Sequence, residues 1–267
     1  MTEAVMVDRG GFRLAARIDG RPEGAPWIVL SNSLGAAAMM WEPQLEPLAR
    51  RYRILRYDTR GHGASGAPAG PYSFDDLCDD VIALMDHFGI GRADYLGLSL
   101  GGMTGLGLAI NHGARFGRMI CCDARADAPP PFAQSWDERM AAIEKGGLTA
   151  IVGGSMERWF VEPWRKANPD TLKAFEDTYL ATSVTGFKGC AEALKRLDYL
   201  KDLGRIALPV LYVVGAKDLG APPPVMRAMA EATPGSAYAE IPDAAHLPNV
   251  DNSKHFNAAI GAFLGLD

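Results

Sequence analysis

Apolar residues in this chain follow two rhythms. Short apolar runs bounded by turn residues alternate with longer stretches in which apolar side chains return every three or four positions. The alternating segment 12–20, closed by Arg21-Pro22-Glu23-Gly24, predicts an opening strand and a turn. Residues 27–30 and 53–57 predict buried strands. Ser73 is placed to cap a helix whose residues Leu77, Val81, Leu84, Met85 and Phe88 fall on one face, with Gly89 and Gly91 closing it. A strand over 93–96, a helix running from about 100 to His112, and a strand over 118–122 follow. Strand alternating with helix predicts an α/β fold with a mostly parallel sheet covered on both faces.

The alternation then stops. Between Arg125 and Gly204 no run predicts a strand, and the spacing predicts helices near 136–144, 149–159, 170–182 and 186–197. Asn168-Pro169 supplies a cap residue and a first-turn proline for the third of these. Residues 125–204 therefore read as a helical lid inserted into a core made of 1–124 and 205–267. The core resumes with a strand over 209–214, a helix over 224–233, a strand over 237–241 and a last helix over 253–264.

Composition narrows the function more than the fold. A net charge of −5 leaves no basic footprint for nucleic acid or an anionic membrane. No run is long enough to span a bilayer, and the first residues lack the basic-then-apolar layout of a signal peptide. Cys78, Cys121, Cys122 and Cys190 show no C-x-x-C spacing and read as buried free thiols, which points to a cytoplasmic protein without a zinc site.

The chemistry gathers around Gly97-Leu98-Ser99-Leu100-Gly101-Gly102, between a predicted strand and a predicted helix. This G-x-S-x-G pattern puts a serine on a tight strand-to-helix turn, where flanking residues must be very small. The helix that follows offers unpaired N–H groups beside the serine. A serine hydroxyl needs a base, and the base needs an orienting acid. His246 follows the strand over 237–241, whereas His87 and His255 fall on helices, His112 near a helix end, and His62 precedes the serine in a glycine loop. Asp218 follows the strand that ends at Val214, and Asp123, also at a strand end, is its rival for the acid. The order Ser99, Asp218, His246 is that of an α/β-hydrolase.

Ser31-Asn32-Ser33-Leu34-Gly35, Arg56-Tyr57-Asp58-Thr59-Arg60-Gly61-His62-Gly63, the serine turn and His246-Leu247-Pro248-Asn249 resemble α/β-hydrolases of the 3-oxoadipate enol-lactonase group. Asn32-Ser33, where most relatives carry His-Gly, points to that branch. The resemblance implies an oxyanion hole made by the backbone N–H groups of Leu34 and Leu100. It implies hydrolysis of a small lactone or ester through an acyl-enzyme, with no metal or organic cofactor. A substrate such as 3-oxoadipate enol-lactone carries a carboxylate, so the lid is expected to supply a cation. Arg125, directly after a strand, is favoured over Arg139, Arg158, Arg165 and Lys166, and Trp136 and Trp159 are expected to line the pocket. A carboxylesterase or a carbon–carbon bond hydrolase would use the same triad, and a slow ligand-binding receptor would retain it. A dinucleotide site is set aside because residues 97–102 do not form G-x-G-x-x-G.

Overall fold

A computed structural model describes residues 4–266. Its strands are β1 (Val5–Asp8), β2 (Arg13–Gly20), β3 (Trp27–Ser31), β4 (Arg53–Tyr57), β5 (Ala93–Leu98), β6 (Phe116–Cys122), β7 (Val210–Gly215) and β8 (Ala237–Ile241). They form one eight-stranded sheet in the order β1-β2-β4-β3-β5-β6-β7-β8. β2 pairs antiparallel with β1 and β4, and all later pairings are parallel. Strands β5 and β7, each paired on both sides, are buried at every position, as a sheet covered on both faces requires.

The core helices are α1 (Glu42–Ala49), α2 (Phe74–His87) and α3 (Leu100–Asn111). Between β6 and β7 run α4 (Pro130–Gly146), α5 (Val152–Trp159), α6 (Glu162–Ala167), α7 (Pro169–Leu180) and α8 (Val184–Lys195). The chain closes with α9 (Pro223–Ala232), the short α10 (Pro248–Asp251) and α11 (Ser253–Leu264). Ser73 starts α2 with a reciprocal cap: its hydroxyl accepts from Asp76 N–H while the Asp76 carboxylate accepts from Ser73 N–H. Leu77, Val81, Leu84 and Met85 are buried on the inner face of α2, and Phe88 is half-buried just beyond it. α3 is apolar all round and lies under cover, packed on β5 and β6.

Several elements depart from the sequence reading. β1 precedes the strand expected to open the chain; it buries only Val7, too little alternation to register. α1 was not expected because Pro47 sits inside it. The proline cannot donate to the Pro43 carbonyl one turn back, and Asn257 Nδ2 from α11 donates to that carbonyl instead, at 2.9 Å. Asn168 does stand before Pro169 at the start of α7, yet its side chain makes no cap there. Its Nδ2 donates backwards to Trp164 O, closing α6.

The segment 56–65 braces the loops above the sheet. Arg56 and Arg60 are both buried. Arg56 donates to Asp19 and Glu42. Arg60 donates from Nε to Asp80 Oδ2 at 2.6 Å and from Nη2 to Asp80 Oδ1 at 2.9 Å, while the faces of Phe12 and Tyr72 lie against the guanidinium. Removing one partner of such a pair strands the other charge out of water. Asp80→Ala is therefore expected to cost about 3–5 kcal/mol of stability, measured by denaturant unfolding. A loss below about 1 kcal/mol would mean that Asp76, which also faces Arg60, neutralises it alone.

Candidate active site

β5 delivers Ser99 at a backbone conformation that few residues adopt, φ 56° and ψ −113°. The turn is locked on each side. Ser99 N–H donates to Cys122 O at 2.8 Å, Gly101 N–H to Asn32 O at 3.0 Å, and Tyr95 Oη to Gly101 O at 2.8 Å. The flanking glycines are a packing requirement. A Cβ on Gly97 would overlap the Gly101 carbonyl, and one on Gly101 would overlap the Ser31 carbonyl. Leu100, as the first residue of α3, has no intrahelical acceptor for its N–H. The Gly101–Asn32 hydrogen bond holds the loop after β3, which carries Ser33 and Leu34, against the serine turn.

Asp218 lies in the turn after β7 and is 2% exposed. Its Oδ1 accepts from Gly220 N–H at 2.8 Å, and its Oδ2 accepts from Ala221 N–H at 3.2 Å and lies 2.9 Å from His246 Nδ1. Burial works against ionisation here, but the imidazole and these donors outweigh it and hold the Asp218 carboxyl below its usual range. His246 sits in the loop after β8. Its N–H donates to Arg158 O at 3.4 Å and that of Leu247 to Trp159 O at 3.0 Å, so the end of α5 fixes the loop. The side chain of Asp251 joins the same pieces, its Oδ2 accepting from Ala245 N–H at 2.7 Å and Val161 N–H at 3.1 Å.

A cavity of about 390 Å³ opens above the sheet. Ser33, Leu34, Ser99, Asp123, Asp218 and His246 line it from the core, and α4, α5, α7 and α8 supply the opposite wall. Ser99, Asp218 and His246 thus share one cavity, although Ser99 Oγ bonds to no described residue. The other histidines lie elsewhere. His62 is buried, with Nδ1 3.0 Å from Arg60 O and with burial depressing its pKa. His87 and His255 are exposed on helices, and His112 closes α3.

The remaining candidates separate by their partners. Arg125 touches the cavity, but its guanidinium is engaged by Asp127 at 3.2 Å and lies against the Phe132 ring. Trp136 lines the wall, its buried Nε1 without an acceptor. Arg139 and Arg158 also line the cavity, and among the described residues neither makes an ion pair, Glu138 and Glu157 acting on them only at longer range. Arg139 lies against the Trp136 ring at 4.3 Å, and Arg158 donates to Ser155 Oγ at 3.0 Å. Burial and the charge of Arg158 bring the Arg139 pKa down to about 10; burial also lowers that of Arg158. Arg165 and Lys166 are not part of the wall. Sequence position favoured Arg125 because it follows a strand; only the position of Asp127 shows that this charge is already answered.

Polar atoms of Asp123, Asp218 and His246 lie within 4.8 Å of one another, a spacing that a metal ion would accept. However, both Asp218 oxygens and Asp123 Oδ1 accept backbone N–H groups, and His246 Nδ1 is turned onto Asp218. Asp218 and His246 are therefore engaged with one another and with backbone donors, and Asp123 with Gly215 N–H. All four cysteines are free and buried, and burial raises every one of their thiol pKa values. Among the described residues no helix is long and apolar enough to cross a membrane.

A family model for the alpha/beta hydrolase fold matches residues 26–253. The chain is 36% identical to 3-oxoadipate enol-lactonase 2 of Acinetobacter baylyi over 239 residues, which is 90% of this chain and 88% of the relative. It is 31% identical to 3-oxoadipate enol-lactonase 1 of the same organism, over 97% of this chain and 96% of that protein. The crystal structure of the enol-lactonase from Burkholderia xenovorans LB400 superposes with a TM-score of 0.94 at 38% identity, covering 98% of this chain and 100% of that one.

Proposed function

The chain belongs to the α/β-hydrolase fold family, and from that premise we propose that it hydrolyses a small lactone bearing its own carboxylate, with 3-oxoadipate enol-lactone of aromatic breakdown as the substrate. The observation that carries the substrate class is the pair Arg139 and Arg158, two guanidiniums with no ion-paired carboxylate among the described residues, in the wall facing Ser99. A charge left unanswered in a half-buried wall is costly unless a ligand completes it. The enol-lactonases among the relatives support the ring chemistry.

In this reading Ser99 Oγ attacks the lactone carbonyl carbon while His246 Nε2 takes its proton. Asp218 holds Nδ1–H and faces the imidazolium charge. The carbonyl oxygen becomes an oxyanion received by the N–H groups of Leu34 and Leu100, donors typically worth about 3–4 kcal/mol each. The C–O bond of the ring then breaks, and the leaving enol takes the proton from His246 and collapses to a ketone. Water attacks the acyl-enzyme with His246 again as base, releasing the acid and restoring Ser99. Residues 125–204 act as a lid over the core made of 1–124 and 205–267. The free thiols suit a reducing compartment, and the cytoplasm is the location we assign.

Steady-state kinetics of Arg158→Gln on the enol-lactone test the substrate class. Charged hydrogen bonds contribute about 1.5–3 kcal/mol, so KM is expected to rise by about 10- to 150-fold. KM for a short neutral ester should move far less. Poor turnover of the enol-lactone by the native protein, beside good turnover of neutral esters, would leave a carboxylesterase and remove the anionic substrate.

A further inference from the structure

The mechanism above leaves unused a buried carboxyl that lines the same cavity as the triad. Asp123 follows β6, directly beside the strand that leads to Asp218. It is 0% exposed, with a left-handed backbone at φ 46°. Its N–H donates to Val213 O at 2.9 Å, and its Oδ1 accepts from Gly215 N–H at 2.8 Å, so it is tied twice to β7. The second oxygen, Oδ2, is fully buried and has no donor.

Two buried carboxylates with oxygens within 4.8 Å of each other do not both ionise. Donors decide which one keeps the charge. Asp218 faces Gly220 N–H, Ala221 N–H and the imidazole, whereas Asp123 receives Gly215 N–H alone. We propose that Asp123 is a neutral carboxylic acid whose Oδ2–H donates to the Asp218 carboxylate, making it a positioning residue that sets the acid on which His246 is oriented. The proton satisfies the orphaned oxygen and gives Asp218 a further donor, fixing its plane relative to the ring. The electrostatics agree: burial first, then the Asp218 charge, pushes the Asp123 carboxyl well above the carboxylate range. Asp251, Cys121, Cys122 and Tyr238, which also feel Asp123, are all acids, and His246 is turned towards Asp218.

The proposal rests on Asp218 and His246 acting as the triad pair, and its test has one arm that needs no turnover. Asp123→Asn keeps an acceptor for Gly215 N–H and supplies an amide N–H in place of the acid proton; Asp123→Ala supplies neither. The asparagine variant is expected to keep kcat within about threefold of native, and the alanine variant to lose about tenfold or more, with KM little changed in both, as misplacement of a catalytic group implies. The infrared difference spectrum of native protein against Asp123→Asn should show the carbonyl band of a neutral carboxylic acid. It is recorded in mildly alkaline solution, where Asp251, with its pKa raised to about 6, is ionised. Absence of that band overturns the proposal whatever the activities are. So does an asparagine variant that fails to fold or loses as much rate as the alanine variant, or an alanine variant that loses none. Failure of the triad itself would show separately, as activity surviving loss of Ser99 while the band remains.

Discussion

Ser99→Ala is expected to lower kcat on the enol-lactone by about 10⁴- to 10⁶-fold while the protein keeps its thermal stability. The size follows from what the hydroxyl does alone. Without it there is no acyl-enzyme, and water must attack the carbonyl directly. In the proposed mechanism the N–H groups of Leu34 and Leu100 and the guanidiniums of Arg139 and Arg158 would still bind and polarise the substrate, so some rate above the uncatalysed reaction should remain. The fold has little reason to change, because Ser99 Oγ hydrogen-bonds to no described residue. The turn is held instead by backbone contacts from Ser99 N–H, Gly101 N–H and Tyr95 Oη. Alanine has the same difficulty as serine at φ 56°, so the existing strain is retained rather than increased. Single-turnover kinetics beside a melting curve check both halves. A variant retaining a hundredth of native activity would remove Ser99 as the nucleophile.

How far the sequence reaches depends on whether a feature is local. The strands of the central sheet are apolar runs with turn residues at their ends, so 27–30, 53–57, 93–96, 118–122 and 237–241 all fall within observed strands. The positions of Ser99, Asp218 and His246 after β5, β7 and β8 are legible for the same reason: strand ends can be read from the chain, and ligands gather there. α1 was hidden because its solution to Pro47 is tertiary, an amide from Asn257 far along the chain. α6 was hidden by its length, Glu162–Ala167, and by Pro163 in its first turn. The cations in the wall differ by a feature of the same, tertiary kind. Arg125 is set apart in sequence only by its place after a strand, and it is the placement of Asp127 beside it that distinguishes a guanidinium paired with a carboxylate from Arg139 and Arg158, which are not. The rivalry between Asp123 and Asp218 was legible, since both end strands. Chain order favours Asp218, and the donors gather on the same carboxylate: Gly220 N–H, Ala221 N–H and the imidazole face Asp218, and Gly215 N–H alone faces Asp123.

Asp218→Asn is expected to reduce kcat by about 10⁴-fold with little change in KM, because an amide fails the imidazole in both of its orientations. With its N–H towards His246, the amide offers a donor to Nδ1 and drives the ring proton onto Nε2, where it blocks acceptance of the serine proton. With its oxygen towards the ring, the correct tautomer survives, but the imidazolium formed in the transition state faces no charge, and the amide N–H is pointed at the Gly220 donor that Oδ1 now accepts. Asp123→Asn is the same isosteric change at a buried carboxylate on the neighbouring strand end, and there the amide replaces a group already neutral. The two variants should therefore differ by about a thousandfold or more in kcat. That contrast separates charge from shape, since each swap conserves volume and hydrogen-bonding reach. If the order were reversed, with Asp123→Asn inactive and Asp218→Asn active, the ionised acid would be Asp123 and the triad would close through β6 instead of β7. Measuring both on the enol-lactone and on a neutral ester keeps the substrate question apart, because His246 must be oriented for either.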